Sequence, residues 1–310
     1  MSHPELSIGN GSEVLKQVAA RFNTEKLEIR NSTHNVAIAD ERLVIKAPKS
    51  AKNMASLAVE AAALEILEQS GPLAAVTPRL VEFSADPVFL VATYLPGRII
   101  EASSIHELSL KEREVLGHDI GAFVVSQVQQ IDVEMVQREL PPFGEGDTWE
   151  DIFEASAGTF SSRMFPSTSL LARQLYAEWT HQQADTTNDQ FIQGDLRLGN
   201  MAVSKNNRLH GVFDFGRAGL GNASNEISPL VNLDSTIMQG AVDELQAASI
   251  NIDMNQVTTW DEIKKITMLI HYINGGNFRD NPPLYVRRAC RILSSHHPDL
   301  SWEEFNQLRV

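Results

Sequence analysis

The chain is poor in cysteine, in long apolar runs and in basic charge. Its 310 residues hold one cysteine, Cys290. No internal disulfide is possible, which suits a reducing compartment. Cys290 lies among Arg287, Arg288 and Arg291 and reads as a structural thiol. No stretch approaches the ~20 apolar residues of a membrane span. Residues 1–13 are polar rather than an apolar leader, so the expected location is the cytoplasm. Internal repeats and low-complexity tracts are absent. No Gly-x-Gly-x-x-Gly loop and no Ala-Pro-Glu stretch occur. His296-His297 has no Cys or His at zinc-binding spacing. Against 26 Lys/Arg stand 40 Asp/Glu, a net charge of −14. Residues 1–97 hold 9 basic and 11 acidic side chains and the rest hold 17 and 29, so the acidity belongs almost wholly to residues 98–310. Such a field disfavours nucleic acid and anionic membrane and favours small cations. With 43% hydrophobic residues the chain is expected to be globular, and its length suggests two domains.

What the sequence does contain is a pair of apolar runs that each end in aspartate. FIQGDLRLGN at 191–200 places Asn200 five residues after Asp195. GVFDFG at 211–216 places Gly216 two residues after Asp214. This is the spacing of a phosphoryl-transfer loop, in which the first Asp accepts a hydroxyl proton while the Asn and the second Asp hold Mg²⁺. Phe191-Ile192 reads as a short strand and Met201-Ala202-Val203 as another. Lys205 to Arg208 reads as a hairpin turn, because Asn tolerates the left-handed region. Leu209 to Phe213 is then the returning strand that brings Asp214 beside Asn200.

Upstream, Leu43 to Pro48 is a β-type run with one lysine, Lys46. Such a lysine holds α- and β-phosphates when a helix carboxylate fixes it. The helix expected over Asn53–Gln69 stops at Gly71-Pro72, and Glu60 falls on its apolar face with Leu57, Ala61, Leu64 and Leu67. A carboxylate there needs a partner, and Lys46 is the natural one; Glu65 and Glu68 lie toward the rim and the last turn. Leu27–Arg30, a turn over Asn31–Asn35, and Val36–Ala39 read as strand, turn, strand. Ser32 and Thr33 in that turn are candidate phosphate contacts, as an alternative to a plain hairpin. Pro87 to Tyr94 reads as a strand broken by Leu95-Pro96-Gly97. Backbone groups near Ala92, Tyr94 and Leu95 are candidates to meet the base of a nucleotide.

The sequence resembles the aminoglycoside phosphotransferase family, small-molecule kinases of the protein-kinase-like fold. The resemblance runs through VIKAPK, VEAAALEIL, VTPRLVEF, VATYLPGR, DIGAFVVSQVQQI, QGDLRLGN, GVFDFGRAGLGN and NEISPL. It implies an α+β, two-lobed fold with a small N-terminal antiparallel sheet lobe and a larger, mainly helical C-terminal lobe. It also implies ATP or GTP as co-substrate, Mg²⁺ on Asn200 and Asp214, Asp195 as catalytic base, Lys46 on phosphate with Glu60 as its anchor, and Glu226 bracing the catalytic loop. The chain departs from the family in having Gln193 where the family has His. It also has Arg197 and Leu198 where His or Pro is more frequent. A Gln amide replaces some of the ring's hydrogen bonds but does not titrate. Arg197 has three open roles: substrate contact, pairing with an acid, or solvation.

The remaining sequence reads as mainly helical: Leu108–Gln130, Trp149 to about Ala157, Leu170–Gln183, Ile227–Met238, Val242–Ala248, Asp261–Ile273 and Trp302–Leu308, with a break at Asn274–Asn277. Arg217 to Gly221 is expected to run directly into a helix. The acidic run from Phe143 to Glu154 contains five carboxylates and no base; helix capping at Thr148 explains much of it, and a rim for ammonium groups is the rest. Asp234, Asp243 and Glu244 are further acceptor-site candidates, whereas Trp260 and Tyr272 read as core. The expectation is a nucleotide-binding lobe over residues 1–97 and a catalytic, acceptor-binding lobe over 98–310. The activity expected is γ-phosphoryl transfer to a hydroxyl of a small cationic acceptor such as an aminoglycoside. The alternatives are a choline-, homoserine- or sugar-type metabolite kinase and a nucleotide-binding pseudokinase. Oligomeric state is not legible.

Overall fold

The structure is a computed structural model that describes residues 11–31, 33–143, 189–231 and 233–273, with residues 174, 177, 178 and 181. The first described element is a helix, α1 (Gly11–Arg21), not assigned from the sequence, whose buried positions are Leu15, Val18 and Ala19. Three strands follow, β1 (Leu27–Asn31), β2 (Asn35–Ala39) and β3 (Leu43–Ala47), then helix α2 (Ala51–Gln69) and strands β4 (Leu80–Ala85) and β5 (Val88–Thr93). The strands form one antiparallel sheet in the order β1-β2-β3-β5-β4.

The period-2 alternation of a strand divides this sheet between two tasks. Ala37, Ala39, Ile45, Ala47, Phe89 and Val91 join Leu15, Val18 and Ala19 in one buried cluster. Val36, Ile38, Val44, Lys46 and Ala92 line a cavity instead. The register carries this division across strands, with Val36 opposite Lys46, Ile38 opposite Val44, and Val44 opposite Ala92.

Helix α2 starts at Ser50, whose side chain accepts the Asn53 N–H, and buries Leu57, Ala61, Leu64 and Leu67. Helix α3 (Leu110–Gln130) opens with a complete capping box between Ser109 and Glu112, and α4 (Val133–Glu139) is capped by Asp132. The catalytic-type sequence then forms β6 (Gln190–Ile192), β7 (Met201–Val203) and β8 (Leu209–Val212). Strands β7 and β8 pair as the expected hairpin. Its turn is held to α3: Arg208 makes two hydrogen bonds to Asp119, at 2.6 and 2.5 Å, and Asn207 donates to Glu112 at 2.7 Å.

Two expectations are corrected here. Gly219–Gly221 forms a strand, β9, paired with β6, before any helix begins; the close approach of Gly219 to the Pro141 carbonyl and of Gly221 to Ile192 leaves no room for side chains there. The expected helices Ile227–Met238 and Val242–Ala248 are also drawn differently. Helix α5 (Ala223–Ile227) passes into a 3₁₀ turn at Ser228–Leu230, and a new helix, α6 (Ser235–Ala247), begins after Asp234. Asp234 accepts the Thr236 and Ile237 amides and so fixes the later start. Gly240 does not interrupt α6, and the backbone of α3 passes close to it at Glu114 to His118.

Helices α3 and α6 are joined through glycine. A Cβ on Gly121 would stand 2.7 Å from the Ala241 carbonyl oxygen, and one on Gly240 would stand 2.9 Å from that of Glu114. Gly117 faces the Ile237 carbonyl more closely still. The chain divides into two compact units, one of residues 1–143 and 189–251, the other of residues 144–188 and 252–310. In the second, α7 (Met254–Ile273) begins earlier than Asp261 and buries Val257, Trp260 and Ile263. The Lys265–Asp261 pair is buried along it.

Among the described residues no helix is long and apolar enough to cross a membrane. The acidic residues 144–154, the helices expected over 149–157, 170–183 and 302–308, the break at 274–277, Cys290 and His296-His297 lie outside the described residues, apart from the isolated positions 174, 177, 178 and 181.

Candidate active site

The cavity on the open face of the sheet has a volume of about 360 Å³ and is lined by residues from β1, β2, β3, α2, β5 and the β7–β8 hairpin. Lys46 reaches into it from β3, because β3 turns Ile45 and Ala47 the other way into the α1 cluster. Its Nζ lies 2.7 and 2.8 Å from the two Glu60 carboxylate oxygens and 2.8 Å from Asp214 Oδ1. Burial alone would lower the pKa of this ammonium, but the carboxylates of Glu60 and Asp214 outweigh it and hold the value above the ordinary one. Lys46 is therefore a fixed positive charge. The same ion pair holds the Asp214 carboxyl below its usual range, against the opposing effect of burial. Glu60 is 3% exposed, whereas Glu65 and Glu68 are exposed and take no part.

Asp214 has φ +65°, an uncommon region for a non-glycine residue. The hairpin brings it to Asn200: the Phe213 N–H donates to the Asn200 carbonyl at 3.0 Å. Asn200 in turn donates Nδ2–H to the Asp195 backbone carbonyl at 2.9 Å and to Asp195 Oδ2 at 3.1 Å. Its amide oxygen remains an acceptor, and Asp214 keeps a carboxylate oxygen beyond the one facing Lys46. Both are hard oxygen donors, one of them ionised, and they fit Mg²⁺, which uses few protein ligands and fills the rest of its octahedron with phosphate and water. Among the described residues no cluster of three His, Cys, Asp or Glu offers an alternative metal site.

Gln193 organises the loop. It is 0% exposed. Its Nε2 donates to the Phe213 and Asp214 carbonyls at 3.1 and 2.7 Å, and its Oε1 accepts the Asp195 N–H at 2.8 Å. Glu226, 1% exposed, accepts the Gln193 and Gly194 N–H groups at 2.9 Å each. Gly194 has φ +80° and sits against the Arg217 carbonyl, so a side chain is excluded twice over. The Ser56 hydroxyl of α2 donates to the Gly216 carbonyl at 3.0 Å, tying the segment after Asp214 to the helix that carries Glu60.

The other expected contacts are placed as follows. Ala92, Tyr94 and Leu95 line the cavity; the Tyr94 N–H is taken by the Arg42 carbonyl. Ser32 lies outside the described residues. Thr33 is exposed, and its hydroxyl meets His34 Nδ1 at 3.3 Å. The cavity-lining residue of this turn is His34, which sequence reasoning passed over as part of a hairpin. His34 Nε2 meets the Asn53 carbonyl at 3.3 Å; burial, helped by the Lys46 charge, lowers its pKa, so the ring is neutral and donates through Nε2 while accepting from Thr33. Asp234, proposed from sequence for the acceptor, instead caps α6 and pairs with Arg113 at 2.7 Å. Glu244 pairs with His118 between α6 and α3. Asp243 takes a hydrogen bond from Gln239 one turn earlier.

Residues 25–265 match the phosphotransferase enzyme family, APH. The chain belongs to that family. It is accordingly a phosphotransferase, and solved structures of its relatives share its protein-kinase-like fold. The streptomycin–ATP ternary complex of APH(2")-IIa has a TM-score of 0.64 at 19% identity, covering 94% of this chain and 97% of that one. The GDP complex of aminoglycoside 2'-phosphotransferase-IIIa has a TM-score of 0.71 at 14% identity, covering 92% and 98%. Macrolide 2'-phosphotransferase MphH from Brachybacterium faecium, as apoenzyme, has a TM-score of 0.60 at 16% identity, covering 93% and 99%. No protein of curated function matches the chain.

Proposed function

We propose that this phosphotransferase moves the γ-phosphoryl group of ATP or GTP to a hydroxyl of a small cationic acceptor of the aminoglycoside type. The observation that carries the reading is the clasp of Lys46 between Glu60 and Asp214 beside the Asp195–Asn200 pair. In it Lys46 positions phosphate, Asp195 is the base, and Asn200 and Asp214 hold Mg²⁺, which when bound neutralises phosphate charge. The acceptor oxygen attacks the γ-phosphorus as the bond to the β-bridging oxygen breaks. The hydroxyl proton passes to Asp195, and the electron pair leaves with the nucleoside diphosphate. Positioning and fixed charge supply most of the rate.

The base of the nucleotide lies against Val36, Val44, Ala92 and Leu95 in this reading, with residues 1–97 as its lobe and 98–310 as the lobe of catalysis and acceptor. Complexes of relatives with ATP, GDP and streptomycin support the two ligand classes. The acidity of residues 98–310 supports a cationic acceptor. Inactivation of an antibiotic in the cytoplasm is the physiological role that follows.

The test is nucleoside diphosphate release with ATP or GTP over a panel of aminoglycosides, macrolides, choline, homoserine and sugars. Turnover confined to amino sugars is expected. Turnover with neutral acceptors alone overturns the cationic assignment. Asp195→Asn should lower kcat by about 10²- to 10⁴-fold with the nucleotide KM little changed. Retention of full kcat removes Asp195 as base.

A further inference from the structure

We infer that Arg197 is a positioning residue for Asp195, holding one carboxylate oxygen so that the other is presented to the attacking hydroxyl. The inference rests on Asp195 being the base. Arg197 Nε lies 3.1 Å from Asp195 Oδ2, and Asn200 Nδ2 lies 3.1 Å from the same oxygen. The guanidinium charge of Arg197 and the Asn200 N–H donor thus both meet Oδ2, while Oδ1 has no hydrogen-bond partner among the described residues. The backbone keeps the three residues together: the Arg197 N–H donates to the Asp195 carbonyl and the Asn200 N–H to the Arg197 carbonyl, each at 2.8 Å. The turn therefore sets Arg197 beside the carboxylate before any substrate arrives.

A carboxylate turns about its last bond over a broad, two-fold torsional profile. One donor on Oδ2 leaves much of that freedom, and a positive charge held at the same oxygen narrows it. The gain is kinetic, because a base whose free oxygen already points at the hydroxyl spends more of its time in a reactive geometry. Little of it is structural: the Arg197 side chain is 54% exposed, and an ion pair so open to water adds little to stability. Of the roles open to Arg197 in the sequence, pairing with an acid is occupied, and Asp195 is the acid at ion-pair distance.

The experiment uses the full chain and MgATP with water as the acceptor, following inorganic phosphate release, so that the natural acceptor need not be known. Arg197→Ala should slow release by about 10- to 100-fold, with the KM for MgATP within about twofold and the melting temperature unchanged. Free guanidinium ion at low concentration should restore part of the rate to this variant and none to Asp195→Asn. Combined with Asp195→Asn, Arg197→Ala should cause no further loss.

An unchanged rate in Arg197→Ala overturns the inference and leaves the base assignment standing. Losses that multiply in the double variant overturn it as well, since Arg197 then acts on phosphate or acceptor directly. Absence of guanidinium rescue with a lowered melting temperature makes Arg197 structural. Full activity in Asp195→Asn alone, or no turnover by the wild-type chain, removes the parent reading and this inference with it.

Discussion

A glutamine side chain offers one acceptor and two N–H donors, and Gln193 uses both kinds at once. Its donors hold the carbonyls of Phe213 and Asp214, and its acceptor holds the Asp195 N–H. One buried amide therefore joins the segment of Asp195 to that of Asp214. Gln193→Leu keeps the bulk and removes every bond, leaving a buried N–H and two carbonyls unsatisfied. At about 1–3 kcal/mol for each group left unpaired, the variant should unfold at clearly lower urea concentration and lose most of its kcat; an unchanged urea midpoint would contradict this. Gln193→His should recover a good part of both, since a neutral imidazole offers one donor and one acceptor.

The pairing of α3 with α6 turns an ordinary substitution rule around. Replacing a helical glycine by alanine normally stabilises by about 1 kcal/mol. At Gly121 the new methyl would stand 2.7 Å from the Ala241 carbonyl and from Glu244 Cβ, so the helices must part. Gly121→Ala should therefore destabilise by about 1–3 kcal/mol, read as a lower chemical-denaturation midpoint; a raised midpoint would show that the helices separate freely.

Asp234 ties the same two helices. Burial raises its pKa, but the Arg113 guanidinium and the Ile237 and Thr236 amides outweigh that and hold the carboxyl below its ordinary 3.8. A depressed carboxyl stabilises fully above the unfolded-state value and loses that contribution as pH falls through the folded value. Stability of the wild-type chain should drop on acidification below about pH 4 more steeply than that of Asp234→Asn. Parallel acid limbs in urea titrations would refute this.

Elements such as these show what the sequence made legible. Lys46 and Glu60 were readable because a lysine in an apolar strand and a carboxylate on an apolar helix face each demand a partner. The hairpin was readable because Asn-rich turns have local chemistry. The cap and ion pair of Asp234 were not legible because its partner, Arg113, is 121 positions away. Helix α1 was passed over, although Leu15, Val18 and Ala19 stand at helical spacing on the face that meets strands β2, β3 and β5. Gln193 was recognisable as a substitution for His, but its acceptors are backbone groups 20 and 21 positions on, which no side-chain pattern reveals.

At the scale of the whole molecule, the expected nucleotide site is a source of stability as well as of chemistry. A ligand held only by the folded state at 100 times its Kd contributes about 2.7 kcal/mol, or about 5–10 °C in Tm for a chain of this order. MgATP or MgGTP should raise the melting temperature by that amount, and chelation of Mg²⁺ should abolish most of the shift; equal shifts with and without the metal would argue against Asn200 and Asp214 as its ligands.

The compact unit that contains Lys46, Glu60, Asp195, Asn200, Asp214 and Glu226 is assembled from residues 1–143 and 189–251, with 45 residues of chain intervening. None of those six side chains comes from 144–188 or from 252–310. Mutation can therefore rewrite either stretch while this set of six side chains is inherited intact, so that a lineage carrying the arrangement is free to vary both without rebuilding it.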